Sequence, residues 1–238
     1  MIANQSVRLV IAASMICVGA CRDGGKDSLH RTDGATPDYA APNGGRVIES
    51  QMPSPRRVAI NGIDLTGVGY DKGDSTAPLV VVEFSDFGCP YCGEFAHETF
   101  PGIDKEFIQT GKVFFKYVPF VMGMFPNGQE AARAGECAGE QGKFWAMYDR
   151  LFSAPSEWKR ERAPEELFKR YAAGAGLDAA GFARCYAPAQ TNPRTSKANA
   201  VADRLGVRVT PSFVVNGRAV EGALPLADFR KLLNGGAK

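Results

Sequence analysis

Two cysteines, Cys89 and Cys92, are separated by Pro90 and Tyr91 and follow directly after the apolar run at residues 79–84. A strand, a short turn and a helix would place Cys89 at a helix N-terminus, where unpaired N–H groups and the helix dipole favour a thiolate. Cys92, one turn further on, would be more buried. The spacing therefore predicts an exposed attacking thiol of low pKa and a protected resolving thiol, the arrangement used for thiol–disulfide exchange.

The same two cysteines could instead form a structural disulfide or half of a metal site. A zinc site needs about four ligands, which usually come as two paired clusters. Cys137 and Cys185 are isolated in the sequence, and the chain has two histidines, His30 and His97. We therefore expect no metal and no other cofactor.

Composition indicates an ordinary globular protein, with 45% hydrophobic and 23% charged residues among 238. The formal net charge of +2 comes without blocks of lysine and arginine, so the charge does not indicate a nucleic-acid partner. The short charged run at 159–162, which begins with Lys159, is interpreted as a solvated loop or a helix start.

The N-terminal segment has the pattern of an export signal. Arg8 precedes an uncharged, mostly apolar stretch at 9–20, which is short for a membrane span but typical of a signal peptide. Small residues before Cys21 resemble the bacterial lipobox, so we predict a signal peptide at 1–20 and lipidation of Cys21. Ordinary signal peptidase cleavage and an uncleaved anchor are the alternatives. Residues 21–57 predict a flexible tether, which would hold the protein at the membrane of the cell envelope.

Four cysteines remain once the two in the signal and lipobox are set aside. Four cysteines allow three pairings, but the placement of Cys89 and Cys92 pairs them with each other. Cys137 and Cys185 then form a predicted structural disulfide between two helical segments, as is reasonable in an oxidising compartment. Two free buried thiols are the alternative at these positions.

Hydrophobic periodicity predicts an α/β core. The helix that begins at Cys89 carries an apolar face toward a sheet, with a kink expected at Pro101. A second strand at 112–118 completes a unit of two parallel strands joined by a helix. We place the first part of this core at 58–119.

The remaining segments divide into a helical part and a return to the sheet. Residues 120–205 are helical in pattern throughout and predict an inserted helical domain whose aromatic side chains form core. Residues 206–238 contain two strands joined at Asn216 and Gly217, a strong hairpin signal, and then a short helix.

Three motifs resemble the DsbA-like branch of the thioredoxin superfamily. They are Glu-Phe-Ser-Asp-Phe-Gly-Cys-Pro-Tyr-Cys at 83–92, Gln-Gly-Lys-Phe-Trp at 141–145 and Gly-Val-Arg-Val-Thr-Pro-Ser-Phe at 206–213. The resemblance covers roughly residues 65–236. It implies a thioredoxin fold with an inserted helical domain, in agreement with the periodicity.

The resemblance also implies a role for residues beyond the redox pair. The Thr210–Pro211 bond is expected to be cis and to face the sulfurs, with Pro211 in the catalytic centre. The Thr210 backbone, together with Pro90 and Tyr91, is expected to contact an extended client segment.

An acid beneath the redox helix is the other element that the resemblance implies. Glu83 occupies that position, and Lys116 on the next strand is placed to meet it. We hypothesise that Glu83 helps to move the proton of Cys92. The alternative is a buried ion pair between Glu83 and Lys116 that has no kinetic role.

The function implied is that of an exported thiol:disulfide oxidoreductase that donates its disulfide to folding envelope proteins. A membrane quinone-linked thiol oxidase would then reoxidise it. Tyr91 stands where the best-known oxidases carry histidine, which leaves a reductase or isomerase as the alternative enzyme. A tethered holdase or copper-binding protein is the alternative of another class, with the segment at 120–125 as an apolar surface or as core.

Overall fold

The computed structural model describes residues 56–187 and 193–235. The predicted signal peptide, the lipidation site Cys21 and nearly all of the predicted tether lie outside the described residues and stay predictions. In the described ranges, no helix combines the length and the apolar character that a membrane span requires.

A five-stranded mixed sheet forms the centre of the fold, with its strands in the order β3-β5-β4-β6-β7. β4 (Leu79–Ser85) runs parallel to β5 (Val113–Pro119). The predicted unit of two parallel strands joined by a helix is thus confirmed. β4 is a central strand with one β-strand on each side, which explains its nearly continuous apolar sequence.

The C-terminal hairpin completes one side of the sheet. β6 (Ser212–Val215) pairs antiparallel with β4, and β7 (Arg218–Glu221) pairs antiparallel with β6. Asn216 and Gly217 join them, both with positive φ, as a tight hairpin turn of this kind requires. The predicted hairpin is confirmed.

Three short N-terminal strands were not predicted. β1 (Ala59–Ile60) and β2 (Ile63–Asp64) form a separate hairpin, while β3 (Tyr70–Lys72) adds antiparallel to the free side of β5. Strands of two or three residues are too short to show the alternation from which a strand is recognised.

The redox helix is the helical run between Pro90 and Ile108, and it changes its winding along its length. Its segments are α1 (Pro90–Glu94), a π-helical turn (Phe95–Thr99), α2 (Phe100–Ile103) and a second π-helical turn (Asp104–Ile108). Pro101, where a kink was predicted, is the second residue of α2 and lies two positions after the end of the first π-helical turn. A proline has no N–H to donate, so the regular ladder cannot continue through it.

Six helices follow β5, and a last one ends the described chain. They are α3 (Gly128–Glu140), α4 (Phe144–Ser153), α5 (Pro155–Trp158), α6 (Glu165–Gly174), α7 (Ala179–Tyr186), α8 (Pro193–Arg204) and α9 (Leu226–Gly235). We call α3–α7 the helical insert. The domain boundaries given above stay predictions.

Two hydrophobic clusters lie on the two faces of the sheet. The larger cluster joins the redox helix, α9 and the helical insert to one face. Phe87 lies within it, and its ring contacts Tyr117 of the sheet and Phe152 of α4, at centroid distances of 5.3 and 4.9 Å. The smaller cluster joins the β1–β2 hairpin and α8 to the other face. α8 therefore covers the face of the sheet opposite the redox helix.

Cys137 of α3 and Cys185 of α7 are joined by a disulfide, which ties together two helices of the insert. It closes a loop with a sequence separation of 48 residues. In the chain-entropy account, closing a loop of that length raises the free energy of the unfolded chain by about 4 kcal/mol.

Replacing both cysteines of this disulfide with alanine is expected to lower the free energy of unfolding by about 2–4 kcal/mol, with the rate of thiol exchange at Cys89 unchanged. Urea unfolding at neutral pH measures the first effect, and alkylation kinetics measure the second. A reduced exchange rate in the fully folded variant would contradict a purely structural role.

Candidate active site

Cys89 caps the N-terminus of α1, between the turn after β4 and Pro90 at the first helical position. Its backbone is extended, with φ −73° and ψ 126°, and its N–H donates to the Asp86 carbonyl at 3.0 Å. Cys92 lies one helical turn further on and is fully buried. Both are free thiols in the structure. The prediction that Cys89 is exposed is wrong, because only 4% of it is accessible.

The two sulfurs differ strongly in acidity. The Cys92 thiol donates to the Cys89 sulfur and lowers the pKa of Cys89 to about 5, with the backbone N–H groups of Cys92 and Tyr91 acting in the same direction. Burial raises the pKa of Cys92 well above its usual value, and the negative charges of Cys89 and Glu83 add to this effect. At neutral pH, Cys89 is therefore the thiolate and Cys92 the thiol.

The cis peptide bond between Thr210 and Pro211 lies beside the redox pair. The Cys89 Sγ lies 3.3 Å from the Thr210 carbonyl oxygen, to which it donates a hydrogen bond when it is protonated. The Gly222 N–H donates to the Pro211 carbonyl at 2.8 Å and so ties the loop before β6 to the end of β7. The structure thus brings Thr210 and Pro211 to the sulfurs, as the resemblance implies.

Glu83 is fully buried on β4, and neither of its carboxylate oxygens has a hydrogen-bond partner among the described residues. Burial raises the pKa of Glu83 to about 8, and the charge of the Cys89 thiolate adds to the effect. Glu83 also acts on Cys92, because its charge is among the causes that raise the pKa of that thiol. The acid is therefore mostly protonated at neutral pH and is electrostatically linked to both sulfurs.

The alternative given above, a buried ion pair between Glu83 and Lys116, is wrong. In the register of β4 and β5, Glu83 lies opposite Tyr117, whereas Lys116 lies opposite Val82. Because successive side chains alternate between the faces of a sheet, Glu83 and Lys116 are on opposite faces. The Lys116 ammonium pairs instead with the Asp71 carboxylate.

The surface around the redox pair is partly apolar. Tyr91 is 63% exposed and lines an open groove together with Val209 and Thr210. In the segment after β5, which was predicted to be either surface or core, Met122 and Met124 are exposed, whereas its first two residues are buried.

Two residues at the redox turn were missed by the sequence analysis. Asp86 is buried, accepts the Gly88 N–H at 2.8 Å, and has its pKa raised to about 6 by burial. Lys159, interpreted above as solvated, donates to the Gly88 carbonyl at 2.6 Å. Asp86 could have been predicted from the sequence, because it is an acid only three residues before Cys89. The contact of Lys159 could not have been predicted, because it joins residues 71 positions apart.

Among the residues that the structure describes, no three histidine, cysteine, aspartate or glutamate side chains are grouped so that they could hold an ion.

The sequence and the fold of this chain are similar to those of known proteins. The family model described as Thioredoxin matches residues 67–235. A curated relative, the Na(+)/H(+) antiporter NhaA 3 of Salinispora tropica, is 35% identical over 153 residues, which are 63% of this chain and 22% of the antiporter. The chain thus spans about a fifth of the length of that relative.

Two solved structures are similar over most of the chain. The alpha-DsbA1 of Wolbachia pipientis is 22% identical with a TM-score of 0.62, and the match covers 69% of this chain and 88% of that one. A thioredoxin-like oxidoreductase from Silicibacter pomeroyi is 27% identical with a TM-score of 0.56, covering 70% and 91%. The predicted DsbA-like thioredoxin fold with its helical insert is confirmed.

Proposed function

This chain belongs to the thioredoxin family. We propose that it is a protein-disulfide oxidoreductase that donates a Cys89–Cys92 disulfide to cysteine-containing client proteins. The observation that carries the proposal is the position of Cys89, at the N-terminus of α1 and beside the cis Thr210–Pro211 bond. There the hydrogen bond from Cys92 lowers the pKa of Cys89 to about 5. A stable thiolate stabilises the reduced protein relative to its disulfide. The disulfide is then a stronger oxidant and is readily given away.

The proposed reaction starts when a client thiolate attacks the Cys89 sulfur of the disulfide. The bond between Cys89 and Cys92 breaks, and Cys92 leaves with the electron pair. Because the pKa of Cys92 is raised, the leaving sulfur needs a proton, and protonated Glu83 is the buried acid linked to it. A second client thiolate then attacks the client sulfur of the mixed disulfide. The client gains a disulfide, and Cys89 leaves as a thiolate.

We place this reaction in the cell envelope, with a lipid anchor at Cys21. The support is the apolar stretch at 9–20 and the small residues before Cys21. Each cycle leaves the protein reduced, so a membrane quinone-linked thiol oxidase is the proposed partner that takes up the two electrons. No cofactor is required on this chain.

The test is the reduction potential of Cys89–Cys92 in glutathione buffers, followed by alkylation and mass. A value near −120 mV, the figure of a strong oxidant, supports disulfide donation, whereas a value near −270 mV indicates a reductase. If neither cysteine exchanges with glutathione, the enzymatic proposal fails and a holdase or copper carrier takes its place.

A further inference from the structure

The peptide that precedes Cys89 is held from three sides. The Gly88 N–H donates to the buried Asp86 carboxylate at 2.8 Å, and the Gly88 carbonyl accepts from Lys159 Nζ at 2.6 Å. Phe125 closes the third side, because a Cβ added at Gly88 would lie 2.4 Å from the Phe125 Cβ. The backbone at Gly88 therefore has little freedom, and the position of Cys89 follows from it.

Lys159 contacts this peptide from a segment of the helical insert whose backbone is fixed by hydrogen bonds and by a buried tryptophan. Trp158, the residue before it, is fully buried, and its indole N–H donates to the Leu151 carbonyl at 2.9 Å. The Asn127 side-chain amide donates to the Trp158 carbonyl and to the Glu161 carbonyl, each at 2.7 Å. A lysine on a flexible loop would lose much side-chain entropy in such a contact. Here the backbone on both sides of Lys159 is already fixed.

A cation near Asp86 and Cys89 reduces the repulsion between two negative groups at the redox turn. The Asp86 carboxylate and the Cys89 thiolate lie close enough for the thiolate to raise the pKa of Asp86, while Lys159 lowers it. Two negative groups in a partly buried turn repel each other more strongly than they would in water. The Lys159 ammonium is the positive charge that acts on Asp86 from the insert.

We infer that Lys159 is a positioning residue of the redox centre: it fixes the turn that presents Cys89 and supplies the positive charge that lets Asp86 and the Cys89 thiolate coexist. The inference rests on the proposed function and deepens it. It means that the helical insert adjusts the oxidising strength of a redox pair that belongs to the thioredoxin core.

Three substitutions in the full chain separate the two parts of this role. Lys159→Met keeps the aliphatic stem but removes both charge and donor, Lys159→Gln keeps a donor without charge, and Lys159→Arg keeps both. Lys169→Met is the matched control, because Lys169 lies in the same insert and pairs, among the described residues, with Glu165 and Glu166 on its own helix. Thermal unfolding of each variant shows that it is folded.

The measurements are the glutathione equilibrium constant and the pH dependence of Cys89 alkylation. We expect Lys159→Met to make the protein about fivefold less oxidising and to move the alkylation midpoint to higher pH, since no ammonium then offsets the charge of the Asp86 carboxylate that repels the thiolate. Lys159→Gln should behave similarly, whereas Lys159→Arg and Lys169→Met should match the wild type. A Met or Gln variant that is folded and equal to the wild type in both readouts overturns the inference.

This outcome is distinct from failure of the proposed function. The proposed function fails on the potential of the wild type itself or on absence of exchange. The inference about Lys159 fails on the difference between variant and wild type, wherever the wild-type value lies. If Lys159→Met is unfolded, comparison of the Gln and Arg variants still tests the charge.

Discussion

Replacing Cys92 with alanine is expected to abolish disulfide donation, with a fall of at least about 100-fold in client oxidation, because no second sulfur remains to form the internal disulfide. The remaining Cys89 can still form a mixed disulfide with an oxidised client or with glutathione. No buried thiol is then present to attack that bond and release the client. The variant should therefore accumulate as a covalent adduct, visible by mass and on non-reducing gels.

The same substitution should change the acidity of Cys89. The hydrogen bond from Cys92 is the largest cause that lowers the pKa of Cys89 to about 5. Without that donor, the pKa should rise, and the pH profile of alkylation should move to higher pH. Cys89→Ala is the control that removes both the adduct and the alkylation signal. A Cys92→Ala protein that oxidises clients at the wild-type rate would exclude the two-sulfur mechanism.

Replacing Glu83 with glutamine has the second large expected effect, and the effect depends on pH. Burial raises the pKa of Glu83 to about 8 from 4.5, so between these values the folded protein holds a proton that the unfolded chain has released. The stability of the wild type should therefore fall as the pH rises from 4.5 to 8. Glutamine removes the charge that causes this fall. The variant should be about 3–5 kcal/mol more stable than the wild type at pH 8, with the difference vanishing near pH 4.5.

The kinetic expectation for Glu83→Gln has the opposite sign. If Glu83 supplies the proton to Cys92, loss of a positioned acid should slow the exchange step by at least about tenfold. The pH profile should also lose its inflection near pH 8. Glu98→Gln is a suitable control, because Glu98 is an exposed acid on the redox helix. Unchanged exchange rates with an unchanged pH profile would reject the role of Glu83 in proton transfer.

Local patterns predicted most of the framework. The apolar run of β4 followed by Cys-Pro-Tyr-Cys identified the strand, the turn and the start of the redox helix. Asn216 and Gly217 identified the hairpin, because this pair tolerates the positive φ that the turn requires. In each case the signal and the structure involve the same few residues, so no distant contact was needed to interpret them.

The errors arose where a distant contact or a strand register decides the outcome. A position on a neighbouring strand does not say which face a side chain occupies, and one residue in the register separates Lys116 from the face of Glu83. Lys159 lies in a charged run that is typical of the protein surface. The buried Trp158 next to it holds the backbone so that the Lys159 ammonium contacts the Gly88 carbonyl. Cys89 was expected to be exposed because it lies at a helix end, but the chain around Thr210, which is distant in sequence, contacts its sulfur.

Phe87 shows how the two parts of the molecule depend on each other. Two positions before Cys89, its ring contacts Tyr117 of the sheet and Phe144, Tyr148 and Phe152 of α4. A change of size at position 87 must therefore be matched in α4, or the turn that carries Cys89 shifts. The side chains of α4 and the residue at position 87 must therefore be compatible in size. A chimaera that takes its helices from one homologue and its Cys-Pro-Tyr-Cys turn from another would need residue 87 to come from the same parent as α4.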